Sequence, residues 1–327
     1  MSIEFEIRPL APQEAEAVTA CFERVYGRSY VARFFYDPEA IRMRMADGRL
    51  VPVVAVSSGG EVAGHMALTQ SHRGARTAEA GNTAVDPRFR GHGLAARLGA
   101  ALIEECRGRG FVGFHHYPTT AHPIMQKLAV QGGGVETGVM LDYIPAGTDY
   151  RELEVAADGR LAVVVVYQPI LAAPARTVFV PGRYQQALRG IYERAGLERV
   201  FGTGTTANEE VTAAISYDVA RRLRRIEVLV PGTGLDRTLE ETMAAAPAEV
   251  THADLPLGHA ATPAAIDTLL RYGFVYCCVL PELRADGDVL RMQRLPHPLA
   301  RGTGPELVHS HARELHALAL RDSGREP

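Results

Sequence analysis

The sequence has little cysteine and no long apolar run, and these absences exclude several classes of protein. No cysteines stand at C-x-x-C spacing, so neither a zinc site nor a disulfide framework is indicated for Cys21, Cys106, Cys277 and Cys278. The longest strongly apolar run, Leu161 to Tyr167, is far shorter than the roughly 20 residues that span a bilayer. The first residues contain neither the basic nor the apolar region of a secretory signal. We therefore expect a cytoplasmic protein without a membrane partner.

An excess of charge of either sign is also missing. The 35 basic and 38 acidic side chains give a net charge of −3, so no overall field attracts nucleic acid or an anionic membrane. Lysine occurs once, at Lys127, and we attribute this bias towards arginine to genome composition. The 327 residues are 46% hydrophobic and can fill the cores of about two domains.

The hydrophobic pattern of the first half predicts strands and helices in a mixed order. Apolar and polar residues alternate at 3–8, which is typical of a strand, whereas steps of three and four after Pro12 and Gly93 predict helices. The predicted strands are 3–8, 50–56, 61–69, 79–85, 111–115, 135–144 and 161–167, and the predicted helices are 12–26, 38–45, 94–108 and 122–130. This order describes a mixed α/β (α+β) domain.

A similar order begins again beyond Pro174. The predicted strands are 177–180, 211–217, 225–230, 249–252, 274–280 and 289–295, and the predicted helices are 183–195, 235–245 and 263–271. Pro123 and Pro263, 140 residues apart, each lie at the start of a helix that is followed by glycine and an apolar strand. The spacing predicts a duplicated fold, with one domain at 1–172, a shorter one at 173–298 and a tail at 299–327.

The tail predicts one more helix, at about 305–320. Its histidines lack the i, i+4 pairing and the carboxylate that a metal site needs, so we expect them on a solvated face; they are His309, His311 and His316. No metal is predicted.

The segment from Asn82 to Arg97 carries the strongest functional signal. A strand that stops at Pro87 is followed by Arg88-x-x-Gly91-x-Gly93 and then by an amphipathic helix. Glycines permit a tight loop whose N–H groups turn inward, and the positive end of the helix dipole points to the same place. Such a loop binds a pyrophosphate. Seven arginines face four acids between Arg73 and Arg109, which adds positive charge there.

Three other interpretations of this segment are weaker. No Gly-Lys-Ser/Thr follows the glycines, so the segment is not a Walker loop. Gly91-x-Gly93-x-x-Ala96 can be written as a dinucleotide fingerprint, but the acid expected about twenty residues later is missing, which leaves NAD binding a remote alternative. A purely structural glycine turn is the third.

The loop and the strand before it resemble those of a known family. Arg88-Phe-Arg-Gly-His-Gly93 is similar to the R/Q-x-x-G-x-G/A acyl-CoA pyrophosphate loop of the GNAT superfamily of N-acetyltransferases, and Ala84-Val-Asp-Pro87 resembles the end of its fourth strand. The resemblance covers residues 3–144 in element order. It implies a mostly antiparallel sheet that splays between strands four and five, where acetyl-CoA lies and a primary amine attacks it directly. It also implies contacts to the acyl-CoA from Val85, Arg88, Phe89, Arg90, Gly91, His92, Gly93 and Leu94.

The catalytic residues of that family are only partly matched. Met125 stands near the usual place of a Tyr that protonates the leaving thiolate, so His122 is the first candidate for the acid and Tyr117 the second. Glu79 is the candidate base, on the strand that leads to the splay. Period-2 alternation puts Glu79 on one face with Gly81, Thr83 and Val85. Packing or solvated roles are the alternatives for these side chains, and the aromatic cluster at 26–36 lies near the acceptor wall without assigned roles.

The second domain has a weaker loop. In Pro231-Gly-Thr-Gly-Leu235, Leu229 stands where the first copy has Arg88, and acids load the following helix, so we expect no CoA binding there. The resemblance thus implies a tandem GNAT acyltransferase with a degenerate second copy. It would move an acetyl group from acetyl-CoA to an amine, of a small molecule rather than of a protein lysine. A non-catalytic acyl-CoA-binding scaffold is the alternative, and a homo-oligomer is compatible with the sequence.

Overall fold

The computed structural model describes residues 4–70, 74–121, 123–146, 159–245, 248–296 and 305–324. The first half contains β1 (Phe5–Pro9), α1 (Ala15–Tyr26), α2 (Pro38–Ala46), β2 (Leu50–Ser57), β3 (Val62–Thr69), β4 (Thr77–Val85), α3 (Leu94–Gly108), β5 (Gly113–His116), α4 (Pro123–Gln131), β6 (Val135–Ile144) and β7 (Leu161–Pro169). The second half contains β8 (Arg176–Val178), α5 (Gly182–Arg194), β9 (Arg199–Phe201), β10 (Thr212–Asp218), β11 (Leu223–Val230), α6 (Leu235–Ala245), β12 (Val250–Pro256), α7 (Thr262–Arg271), β13 (Val275–Arg284), β14 (Gly287–Arg294) and α8 (Ser310–Asp322). The predicted mixed α/β class is confirmed.

Twelve strands form one continuous sheet, in the order β1-β2-β3-β4-β5-β7-β6-β13-β14-β12-β11-β10. Among its described strands, β4–β5 and β11–β12 are the parallel pairs, and the other neighbours run antiparallel. The order β3-β4-β5-β7-β6 is therefore repeated as β10-β11-β12-β14-β13, with the parallel pair at the same place. This topology agrees with the predicted duplication.

The two halves meet where β6 lies beside β13. Gly138 pairs with Cys278, and a Cβ on Gly138 would lie 1.9 Å from the Cys277 carbonyl oxygen. The Gln293 side chain bridges the strands, because its amide oxygen accepts from Leu141 N (2.8 Å) and its amide nitrogen donates to Val139 O (3.0 Å). Glycine is thus required at this seam by the close approach of the strands.

The strands at the seam also match in detail. β6 and β13 each have ten residues and begin 140 positions apart, at Val135 and Val275. Asp142 and Glu282, again 140 apart, both have a φ of 52°, which is uncommon for residues other than glycine. The two halves therefore share local irregularities as well as strand order.

Helices cover both faces of the first-half sheet. Because neighbouring strand residues point to opposite faces, Val53 belongs to the core that contains Leu98 of α3, whereas Val54 belongs to the core that contains Phe22 of α1. The helices α1 and α3 therefore lie on opposite sides of β2–β4.

The C-terminal helix α8 lies across the seam and contacts both β6 and β13. Its Asp322 accepts hydrogen bonds from Tyr276 N (2.8 Å) and from the Tyr184 hydroxyl (2.5 Å). The predicted solvated face is wrong, because His309 lies 2.9 Å from Glu136 Oε1 and the other two tail histidines are half-buried. Among the described residues, no helix combines the length and apolar composition that crossing a membrane requires.

Candidate active site

The strands β4 and β5 separate after a short parallel contact. Their register runs only from Thr77–Gly113 to Glu79–His115, whereas β4 continues to Val85. Residues 80–85 therefore have no β5 neighbour, and this is the splay that the resemblance implied. A cleft of about 740 Å³ occupies the gap.

Small side chains on α3 make room in this cleft. Ala95, Ala96, Gly99 and Ala100 line it, and nothing lies within 4 Å of the position that a Cβ on Gly99 would take. The opposite wall comes from α4 and includes Leu128. The cleft is therefore mostly apolar and lies between two helices.

A glycine loop lies between β4 and α3. Gly91 has a φ of +83° and Gly93 a φ of +67°, and no atom lies within 4 Å of a Cβ built at either position. Glycine is needed here for the backbone conformation and not for space. The first turn of α3 holds no acidic residue, so its N–H groups and dipole are free to meet an anion.

The turn before this loop is fixed by ion pairs to Asp86. Its buried carboxylate accepts from Arg88 (2.8 Å) and Arg24 (2.5 Å), and Arg88 also reaches Glu61 (3.2 Å). Burial raises the pKa of Asp86, but the hydrogen bonds from the two arginines outweigh it and bring the pKa to about 2. The Arg88 guanidinium thus stabilises the turn.

The other side chains predicted to contact acyl-CoA divide into three groups. Val85 and Arg90 line the cleft. Phe89 and Leu94 are buried in the core under α3, and the Phe89 ring meets Phe5 edge-on at 5.7 Å. His92 is exposed, with Nδ1 3.1 Å from Arg90 O. The contact roles remain predictions for all eight positions.

The strand β4 carries a bulge where it lines the cleft. Asn82 and Thr83 together stand opposite Met66, and Asn82 has a φ of 53°. The Tyr26 hydroxyl donates to Thr83 O (2.6 Å), and the Tyr30 hydroxyl donates to Asn82 Oδ1 (3.0 Å). These tyrosines also line the cleft, and the sequence analysis assigned no individual role to either.

The bulge corrects the predicted alternation along β4. Before it, Ala80 belongs to the core under α3; after it, Ala84 belongs to the core under α1, and Val85 packs on the α3 side. The expectation that Val85 shares a face with Glu79 is wrong, because the extra residue reverses the pleat. Val85 faces α3, and Glu79 points to the opposite side of the sheet.

Glu79 is half-buried at the edge of the cleft. Its Oε1 lies 3.9 Å from the position that a Cβ on Gly81 would take, and Gly81 lines the cleft. Burial raises the pKa of the Glu79 carboxyl, and the guanidinium groups of Arg221, Arg225 and Arg291 lower it in part. All three arginines come from the second half, which therefore faces this side of the cleft.

The structure describes only one of the two candidate acids, Tyr117 and His122. Tyr117 lines the cleft, and burial raises the pKa of its hydroxyl well above the usual value. His122 lies outside the described residues. His116 also lines the cleft and has a pKa lowered by burial to about 4, whereas His115 is fully buried and donates through Nε2 to Pro281 O (2.9 Å).

A family model matches the segment that contains β4, the glycine loop and α3. Residues 15–123 match the model of the Acetyltransferase (GNAT) family. This part of the chain is a GNAT acetyltransferase domain. Sequence comparison with curated proteins gives no significant match.

Solved structures of acetyltransferases are similar to about half of the chain. An N-acetyltransferase from Staphylococcus aureus Mu50 has 15% identity and a TM-score of 0.42 over 51% of this chain and 99% of its own. The ribosomal-protein-S18-alanine N-acetyltransferase from Escherichia coli has 19% identity and a TM-score of 0.41, over 52% and 97%. A GNAT phosphinothricin acetyltransferase from Sinorhizobium meliloti, in complex with AcCoA, has 18% identity and a TM-score of 0.42, over 51% and 89%.

The second-half loop differs from the GNAT loop at Gly91–Gly93. Thr233 N donates to Glu209 O (2.7 Å), and Val211 N donates to Thr233 O (2.9 Å). A Cβ on Gly232 would lie 2.5 Å from Glu209 O. The chain's own segment at 209–211 therefore packs directly against this loop.

Proposed function

We propose that the chain transfers an acetyl group from acetyl-CoA to a primary amine, in the cleft between β4 and β5. The observation that carries the proposal is the continuity of the splayed cleft with the Gly91–Gly93 loop at the start of α3, within the segment that matches the GNAT model. The loop N–H groups suit the pyrophosphate, and the apolar walls suit the pantetheine. Acetyl-CoA supplies the thioester carbonyl that the amine attacks.

Glu79 serves as the base. An amine in water is mostly protonated, so a group beside the cleft must accept its proton before or during the attack. A carboxylate whose pKa is raised by burial is a stronger base than an exposed one. Among the described residues, no group donates a hydrogen bond to the Glu79 carboxylate and would compete with the amine for it. Transfer directly or through one water fits its place beside Gly81.

Tyr117 serves as the acid. Its hydroxyl is protonated at neutral pH, as that of an ordinary tyrosine is, and it lines the same cleft. A proton from this hydroxyl would neutralise the departing thiolate. Val85, on the α3 side of β4, would contribute backbone contact to the donor.

The acceptor is a small amine rather than a protein lysine. The second half covers the start of β4 and β5, where Thr77 Oγ1 donates to Glu282 O (3.0 Å) and His115 donates to Pro281 O (2.9 Å). A protein surface would have to pass this cover to reach Glu79. We assign catalysis to residues 1–172, a degenerate GNAT-like copy to 173–298, and a helical tail to 299–327.

Calorimetric titration with acetyl-CoA tests the donor site. Wild-type protein should bind, and Gly91→Glu should abolish binding, because it strains a positive φ and sets a carboxylate against the pyrophosphate. Gly110→Glu is the matched control, since Gly110 also has a positive φ (73°) and open space but lies at the other end of α3. Absence of binding by the wild type would overturn the proposal.

Turnover separates an enzyme from an acyl-CoA-binding scaffold. Thiol release should rise when primary amines are added to protein and acetyl-CoA. Binding without thiol release across a broad panel of amines would favour the scaffold.

A further inference from the structure

The Glu79 side of the cleft leads directly to side chains of the second half. Tyr117 lines the cleft, and its ring centroid lies 6.1 Å from that of Tyr143. Tyr143 in turn stacks on His252, at 6.0 Å and an interplanar angle of 5°, and the Arg221 guanidinium lies 5.0 Å from the Tyr143 ring.

Three guanidinium groups lie in this region, and two of them have a close carboxylate partner. Arg291 makes two 2.7 Å hydrogen bonds to Asp254, and both side chains are buried. Arg221 bonds Asp218 at 2.8 Å. Arg225 remains 3.9 Å from an Asp254 carboxylate that Arg291 already occupies, and its Nε has no hydrogen-bond acceptor among the described residues. The Arg225 side chain is 30% exposed.

His252, next to Arg225 in the strand register, is also unsatisfied. It is fully buried, and neither ring nitrogen has a hydrogen-bond partner in the described part of the chain. Burial lowers the pKa of His252 well below its usual value, and the charges of Arg291 and Arg225 lower it further. A neutral, buried imidazole without partners is unusual unless a water or a ligand satisfies it.

The duplication puts Arg225 opposite the base. Glu79 pairs with His115 across β4–β5, and Arg225 pairs with His252 across β11–β12, so the two charged residues occupy equivalent places in the two copies. His115 is covered by Pro281 of β13, and His252 is covered by Tyr143 of β6. A strand of the opposite copy therefore covers each histidine. One copy thus offers a carboxylate and the other a guanidinium to the same region.

We propose that Arg225, with His252 and Arg221 beside it, binds a carboxylate of the acceptor, so that the substrate is an amino acid whose amine reaches towards Glu79. This inference rests on the proposed acetyl transfer. Arginine suits a carboxylate because its planar fork donates two parallel hydrogen bonds. The carboxylate anchors one end of the acceptor while Glu79 takes the proton from the other. The second half then contributes specificity, although the segment at 209–211 packs against its own glycine loop.

Binding of the acetylated products tests the subsite without requiring turnover. The probes are N-acetyl ω-amino acids from N-acetylglycine to N-acetyl-6-aminohexanoate, each paired with its neutral amide, titrated calorimetrically into the full chain with and without CoA. At least one acid should bind wild-type protein about tenfold more tightly than its amide, since a charge-assisted pair is lost in the amide. Equal affinity of every acid and its amide would overturn the inference.

Variants of Arg225 decide which side chain is responsible. Arg225→Gln should remove the preference for the acid, and Arg225→Lys should retain part of it. Arg237→Gln is the matched control, because Arg237 is exposed in the same half and pairs only with the surface acid Glu210 among the described residues. An unchanged preference in a folded Arg225→Gln protein would overturn the assignment.

The same experiments distinguish this inference from the proposed function. Acetyl-CoA binding and thiol release without any acid–amide difference would overturn the carboxylate subsite alone. A preference for acids in a protein that fails to bind acetyl-CoA would support the subsite and overturn acetyl transfer.

Discussion

Gly138 and Cys278 face each other across the seam between the two halves, and the strands approach so closely there that no side chain fits on Gly138. A Cβ at this position would lie 2.5 Å from the Cys278 Cα and 1.9 Å from the Cys277 carbonyl oxygen. The join between the copies therefore depends on a residue without a side chain.

Gly138→Ala should lower the free energy of unfolding by about 3 kcal/mol, because the strands must move apart to admit the methyl group. Urea denaturation followed by circular dichroism would measure the change. Gly182→Ala is the control: nothing lies within 4 Å of a Cβ there, and alanine in the first turn of α5 should change stability by less than about 1 kcal/mol. Equal effects of the two substitutions would contradict the seam argument.

Asp86→Asn should destabilise the protein by about 2 kcal/mol at neutral pH, since the Asp86 pKa falls from 3.8 to about 2 on folding. A depressed carboxyl pKa stabilises the fold above the unfolded pKa and loses that effect as the pH falls through the folded pKa. The stability difference between wild type and variant should therefore be full above about pH 4 and shrink towards pH 2. Urea midpoints at several pH values would measure it, and a difference independent of pH would count against the ion pairs to Arg24 and Arg88.

Glu79→Gln should reduce kcat by about a hundredfold or more, while the affinity for acetyl-CoA stays the same. Burial raises the Glu79 pKa above 4.5, so wild-type kcat/KM should fall as the pH decreases through that raised value and the carboxylate becomes protonated. The residual activity of the variant should lack this acid limb. Glu104→Gln, an exposed α3 acid paired with Arg107, should retain the wild-type profile. A Glu79→Gln profile identical to that of the wild type would remove this residue as the base.

Calorimetry should give one acetyl-CoA site per chain. In the second-half loop the Thr233 N–H already donates a hydrogen bond to Glu209 O (2.7 Å), so it is not available to a phosphate. Gly232 packs against the same backbone segment. A stoichiometry of two would show that the segment at 209–211 leaves the loop on binding.

The resemblance to the GNAT superfamily implied the splay. Sequence patterns predicted the order of strands and helices along the chain and the glycine loop, because hydrophobic period and turn residues act locally. They failed at Val85, where strict alternation was assumed: the bulge at Asn82 is set by tertiary contacts from Tyr26 and Tyr30, more than fifty residues away in sequence. Residues held by such distant hydrogen bonds carry no local signature.

The contribution of Arg225 to the site could not be predicted from the sequence for a related reason. Arg225 lies 146 positions after Glu79, and only the equivalence of β4–β5 with β11–β12 brings the two to the same region. Predicting a duplication was possible from the proline spacing, but the way the copies face each other depends on the seam at Gly138.

The continuous sheet also limits how the molecule can move. Opening the halves like a hinge would break the Gly138–Cys278 pairing, withdraw Gln293 from Leu141 and Val139, and lift α8 from both copies. A rigid seam of this kind would keep Glu79 and Arg225 at a fixed separation. Acceptors would then be selected by length, because only those whose amine and carboxylate span the distance between Glu79 and Arg225 would bind at both ends.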